Sequence, residues 1–413
     1  MPALAIACAV MVVAFVIGEV QRELSDPGDT DYIGLVTGGT IIDSGSHCLY
    51  CLATQRVTQD GLLGIRTTLP PPSNFADTPL AALLIAPLAR LPLRTGLAVF
   101  DVISLLMLGG SALAVLRLLP RRLSWDRRTL MVALGVGSLP AMTAIAQWDS
   151  LLLLASLLAL LLLRGAGAGA GEGAGEGAGE GEGEGERARR RRSGLRAVGA
   201  GLLLSLLLLK PQVAWLLIPA LIAARSWRVL AGFAAGAANN LGTGLVVIGP
   251  TQMSQFVPFI LARSLPQAGV KVGLPELAVL ASGANRAGVI AALILAAVAL
   301  AACWRWRERL RSRPETAIGL GVAASIAFAP YVGIVDLGLL ALAAVAWAQR
   351  STAEPIAALL LIDAAWAVDF LAGSGRVHTL PLALLLFLAG ATWRLLRSPG
   401  LPELASPRPA AAG

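Results

Sequence analysis

Runs of Leu, Ala and Val approaching twenty residues recur along almost the whole chain, and they leave it one kind of solvent to fold in. A soluble domain carries about 25% charged residues; this chain carries 14%, with 56% hydrophobic residues and a mean hydropathy of +0.73. No water-exposed fold hides that much apolar surface. A bilayer does, provided each span closes its own backbone hydrogen bonds as a helix. Several runs come close to the roughly 20 residues that a span needs. No barrel-like alternation of apolar and polar residues is present. The composition therefore defines an all-α polytopic membrane protein.

The 413 residues carry a net charge of +8, nearly all of it arginine; Lys210 and Lys271 are the two lysines. The arginines cluster between apolar runs, at 117–128, 187–196, 225–228, 305–313 and 394–397. Such clusters mark cytoplasmic loops beside anionic lipid. With no soluble basic domain, nucleic-acid binding is a poor reading. Residues 1–17 lack a basic leader and a small-residue cleavage site, so they read as a retained first helix.

The expected spans number about 12–13. They fall near 3–19, 96–116, 130–145, 151–163, 195–209, 213–224, 229–248, 287–303, 318–330, 334–348, 356–370 and 380–396, with 76–91 as a further short stretch. That stretch carries Pro79 and Pro87 and ends at Pro92, and it reads as re-entrant or interfacial. Gly232xxxGly236 in the 229–248 span allows close helix approach. Two polar loops are expected, at 21–75 and 249–285. The chain then divides into an N-terminal membrane half (1–164), a linker with a basic patch (165–194), a C-terminal membrane half (195–397) and a disordered tail (398–413). Residues 165–186 are almost pure Gly, Ala and Glu, a composition with nothing to pack. Arg187–192 reads as a positive-inside anchor.

Working back from the arginines, the non-cytoplasmic side collects Gln147-Trp148-Asp149, Lys210-Pro211, the 249–285 loop, 331–336 and 376–378. The first loop joins them if 76–91 does not fully cross. Asp29 and Asp31 lie in this loop on a Pro/Gly-rich backbone. Two apart in an extended or turn segment, their carboxylates would face one way and serve one site; the plain alternative is a pair of solvated loop acids. Lys210 interrupts some thirty mostly apolar residues and precedes a proline. A cation there is a functional candidate, with snorkelling to the interface as the alternative. Gln147 and Asp149 suit a hairpin tip, where a polar turn is the simpler reading. Arg376 and His378 sit on another such turn. Cys48 and Cys51 form a CxxC too isolated for a metal site, with a short-range disulfide open to it. Walker, dinucleotide-binding, HExxH and GxSxG patterns are absent; no cofactor is expected and no metal is required, with the paired Asp29 and Asp31 leaving a weak divalent site open.

Asp31-Tyr32-Ile33-Gly34-Leu35-Val36-Thr37-Gly38-Gly39, with Gly45 and Leu49-Tyr50, resembles the first-loop signature of glycosyltransferase family 87. Gln55, Gln59, the proline-flanked stretch at 79–92, Gln147, Leu209-Lys210-Pro211-Gln212, Ala329-Pro330-Tyr331 and Asp336-Leu337 are similar in order and spacing. Cys51 stands where an Asp often follows Leu-Tyr, Ala76-Asp77-Thr78 replaces the common Pro-Pro entry, and Tyr331 falls where a His is often found. The resemblance implies a GT-C-type bundle with a long first extracytoplasmic loop and an outward-facing active site in the cell membrane. It implies transfer of a hexose, mannose foremost, from a polyprenyl-phosphate donor to an envelope glycolipid or glycan acceptor, with inversion. Asp31 then matches the general base, with Asp29 in reserve. Lys210, with Arg263 or Arg376, suits the donor phosphate, and Gln147, His378 and Tyr331 complete the substrate-binding candidates. A transporter or flippase using the same lysine and broken helices, and an inactive assembly scaffold, are the competing readings.

Overall fold

The computed structural model describes residues 2–64, 74–136, 147–167, 184–264, 272–330, 332–372 and 379–397. The described residues form helices and turns and contain no strand. This is the all-α polytopic membrane fold that the composition demands.

The chain opens with α1 (Pro2–Ser25), an apolar helix whose side chains are mostly exposed to the surroundings. The expected polar loop at 21–75 is largely helical instead. After a 3-10 turn at Pro27–Asp29 it forms α2 (Asp31–Asp43) and α3 (Leu52–Leu63). Helix α2 is buried along nearly its whole length, from Tyr32 to Gly39 and again at Ile41. Its glycines explain why. A Cβ on Gly38 would collide with the Phe75 ring, and one on Gly39 would lie 2.6 Å from Ile85 Cγ2. These small residues let α2 nest against α4 (Pro79–Ala89). Cys48 and Cys51 form a disulfide at the start of α3.

Helix α4 has eleven residues, about 16 Å at 1.5 Å per residue, too short to cross a bilayer alone. Three residues later α5 (Leu93–Leu118) crosses with 26. Next come α6 (Trp125–Gly135) and α7 (Asp149–Gly167). Helix α8 (Glu184–Leu204) already contains the Arg187–192 patch. The ends of the expected 165–186 linker thus lie in α7 and α8, and its centre, 168–183, lies outside the described residues. Replacing residues 168–183 by a Gly/Ser segment of about half that length is expected to leave folding and activity intact. Size-exclusion behaviour and transfer rate of the variant check this, and loss of folded protein would reveal a packing partner for the segment.

The span expected at 195–209 ends in a 3-10 turn, Ser205–Leu209, and a second 3-10 turn, Pro211–Val213, leads to α9 (Leu217–Ala223). Then follow α10 (Trp227–Val247), α11 (Gly249–Ser264), α12 (Pro275–Ser282) and α13 (Asn285–Arg305). The second expected loop is therefore also partly helical. A short α14 (Arg307–Arg311) precedes α15 (Pro314–Phe328). After the 3-10 segment Ile334–Leu340 come α16 (Ala341–Ala348), α17 (Ala353–Ala372) and α18 (Leu380–Arg397). Among the described residues five helical stretches are long and apolar enough to cross a membrane in one piece. Several other expected spans are shortened or broken by 3-10 turns.

Helices α8 and α10 meet backbone to backbone. A Cβ on Gly232 would overlap the Val198 carbonyl, and one on Gly201 the Val229 carbonyl. Gly232→Leu is expected to destabilise the fold by at least ~1–3 kcal/mol through overpacking. A thermal melt in detergent measures it, and an unchanged midpoint would mean that the helices are not in contact there.

The arginine clusters gather at one end of the bundle, where they cap helix termini. Arg164, near the end of α7, donates to the Leu118 carbonyl at the end of α5 and lies 3.6 Å from Glu315 at the start of α15. Arg196 Nη1 donates to Gly165 O at 2.5 Å, Arg122 Nη2 to Gln349 O at 2.8 Å and Arg313 Nη1 to Leu395 O at 3.5 Å. Arg394 pairs with Glu354. From Arg164 back to Asp149 is fifteen residues of helix, about 22 Å, so the first residue of α7 lies at the opposite end.

Candidate functional site

That opposite end is held together by Lys210. The proline after it removes a backbone donor and bars Lys210 from helical geometry, and its φ/ψ of −122°/82° lies between the two 3-10 turns. The helical ladder stops, and the side chain turns inward. Its ammonium lies 2.6 Å from Asp149 Oδ2 and 3.2 Å from Asp336 Oδ1, and it also donates to Gln147 Oε1. All three groups in the ion pairs are buried: Lys210 is 7% exposed, Asp149 6% and Asp336 2%. An ammonium has three N–H donors, and these three bonds use them.

Each partner is placed by its own local backbone. Asp149 is the first residue of α7, where a carboxylate complements the helix N-terminus. Asp336 lies in the 3-10 segment after Gly333, and its second oxygen accepts the Gly333 N–H at 2.9 Å. Gln147 bridges to the first loop. Its Nε2 donates to Asp31 Oδ2 while its Oε1 accepts from Lys210. Lysine only donates and an ionised carboxylate only accepts, so the amide satisfies both in a single orientation. Asp31 itself is exposed, at the first position of α2.

Asp77, in the segment ahead of α4, is the further carboxylate of this cluster. Burial pushes its carboxyl up to about 6; the Lys210 charge opposes the rise, and those of Asp31 and Asp336 add to it. Its backbone is pinned from the first loop. Tyr50 donates its hydroxyl to the Asp77 carbonyl at 2.9 Å, and the Gln55 side chain brackets Phe75, donating to its carbonyl and accepting from its N–H, both at 3.1 Å. The Trp148 indole lies close enough to Asp77 to favour its charged form, although its N–H closes no hydrogen bond of good geometry. Asp149 Oδ1 is likewise buried, with no hydrogen-bond partner among the described residues.

The fold thus unites Asp31, Gln147 and Lys210 from distant parts of the sequence. Asp29 ends the 3-10 turn and Asp31 begins a helix. The side chains of Asp29 and of Arg263, on α11, lie outside the described residues, as do Tyr331, Arg376 and His378 altogether. Asp149, read as part of a polar turn, is a member of the buried network, and Asp77 and Asp336 join it. One signal was available for all three. Asp149 lies at the start of a helix and Asp77 just before one, as Asp31 and Lys210 do, and Asp336 lies in the first turn of its 3-10 segment. Among the described residues no cluster of three or more His, Cys, Asp or Glu is arranged to hold a metal ion.

A helical membrane bundle with a cluster of carboxylates around one buried lysine, at the end away from its arginines, has the build of an integral membrane enzyme. Residues 75–330 match glycosyltransferase family 87, well over half of the chain, and the chain belongs to that family: it is a membrane glycosyltransferase. The match contains Asp77, Gln147, Asp149 and Lys210; Asp31 and Asp336 lie on either side of it. Comparison with curated proteins and with solved structures gave no match.

Proposed function

We propose that the protein transfers a hexose, mannose foremost, from a polyprenyl-phosphate donor to an envelope glycolipid or glycan acceptor, by inversion, with Asp31 as general base. The observation that carries this reading is the run of hydrogen bonds from buried Lys210 through Gln147 to exposed Asp31. A general base must be ionised, oriented and within reach of the acceptor hydroxyl. Gln147 orients the carboxylate, which is exposed at the start of α2. The proton of the acceptor hydroxyl passes to Asp31 as that oxygen bonds to the sugar C1 and the C1–O bond to the polyprenyl phosphate breaks.

Lys210 then serves chiefly to fix Gln147, with Asp149 and Asp336 fixing Lys210. A bond to the donor phosphate would require one of its three present bonds to open. Arg263, Arg376 and His378 are the proposed phosphate ligands, since the departing dianion needs cationic stabilisation. Asp29 stays in reserve as base, and Tyr331 as a contact to the sugar. With the arginine end cytoplasmic, this site faces outward, and a membrane-held donor reaches it without a soluble nucleotide. Membership of a glycosyltransferase family favours this reading over a transporter.

The test is transfer of radiolabel from a polyprenyl-phosphate hexose in membranes carrying the protein, beside the matching nucleotide sugar. Label should move from the lipid donor. Transfer from the nucleotide sugar alone, under conditions that block polyprenyl-phosphate sugar synthesis, would overturn the donor assignment.

A further inference from the structure

One cavity is lined by none of the residues of the carboxylate cluster. It is a cleft of about 350 Å³ between α9, α13, α15 and α18, and its lining is almost wholly apolar. It runs from Leu216 and Phe328 down to Leu310 and Leu396, beside the arginine-bearing ends of α13 and α18. Small residues open it: Ala299 on α13, Gly321 and Ala324 on α15, and Ala389 on α18. Trp306 and Trp393 line its arginine end, where amphipathic indoles favour the level of lipid headgroups.

The charges differ between the two ends. Leu216 follows Lys210 by six residues, and Phe328 precedes Asp336 by eight, so the upper end approaches the carboxylate cluster. At the lower end Arg305, Arg309 and Arg311 are exposed and make no ion pair among the described residues. The carboxylates nearby are Glu315, which faces Arg164, Glu354, which pairs with Arg394, and Glu308, 3.7 Å from Arg307. An anionic headgroup is attracted to the arginine end. Taking a methylene as the ~30 Å³ of a water molecule, the cleft holds about a dozen methylenes, most of an acyl chain.

We propose that this cleft is a binding site for one anionic phospholipid of the leaflet at the arginine end, with an acyl chain between α13, α15 and α18 and its phosphate at Arg305, Arg309 and Arg311. The site is separate from the transfer chemistry and does not depend on the identity of the sugar donor.

Native mass spectrometry of the full chain, exchanged into detergent with equimolar phosphatidylglycerol and phosphatidylcholine, tests it. One phosphatidylglycerol should be retained, with about tenfold preference. Arg305→Gln/Arg309→Gln/Arg311→Gln, all at exposed positions, should abolish the preference. Ala299→Leu/Ala324→Leu should remove retention of either lipid, with a thermal melt confirming that the filled protein is folded. Dibrominated phosphatidylglycerol should quench tryptophan fluorescence in wild type and less in Trp306→Phe/Trp393→Phe. Equal retention of the two lipids by wild type would overturn the proposal. So would undiminished retention by the folded, filled variant, or displacement of phosphatidylglycerol by equimolar polyprenyl phosphate, which would make the occupant an isoprenoid chain.

Discussion

Asp31→Asn is expected to lower sugar transfer by about 10²–10⁴-fold, the usual contribution of a general base, with little change in expression or melting temperature. The side chain is exposed at the start of α2, and asparagine keeps its size. Asparagine can still face Gln147 but cannot take the acceptor's proton. Gln147→Leu should cost less, since the carboxylate stays and only its orientation is lost. Asp29→Asn should cost least. The informative measurement is single-turnover transfer on purified protein, which separates chemistry from product release. A wild-type rate in Asp31→Asn would remove the base from this position, and would point to Asp77, which lies within electrostatic reach of Asp31 and Lys210.

Lys210→Met is expected to be the most damaging single change to the fold. Removing one partner of a buried ionic network costs ~3–5 kcal/mol, because the charges left behind lose compensation. Here two carboxylates are left, Asp149 and Asp336, at 6% and 2% exposure. Lys210→Arg should retain part of the stability, since the charge survives and its geometry does not. Lys210→Met with Asp149→Asn and Asp336→Asn should recover much of it. Melting temperature reads the structural effect, and kcat/KM for the lipid donor, taken on whatever protein remains folded, reads the chemistry. A drop of tenfold or more is expected there, as Gln147 loses the donor that orients it. An unchanged melting temperature would show that Lys210 is a snorkelling anchor at the interface and not the centre of the cluster.

The class of fold follows from the sequence alone, because helix closure is the one way this much apolar chain satisfies its backbone in lipid. The clustering of arginine at one end followed too, since each cluster sits between apolar runs and charge does not cross a bilayer cheaply. Asp31 was legible as an acid of the first loop, Gln147 as a polar residue at a turn between spans, and Lys210 as a cation interrupting apolar chain. Their partnership was not. Asp31 and Gln147 are 116 residues apart, and Lys210 and Asp336 are 126 apart; nothing local encodes such pairings. The first loop was misread for a related reason. Gly38 and Gly39 lower helix propensity, but their missing side chains let α2 bury itself against Phe75 and α4, and packing outweighs propensity. Tertiary structure alone decided that the isolated lysine would be enclosed by carboxylates, since burial of one charge obliges the fold to bring the opposite charge to it.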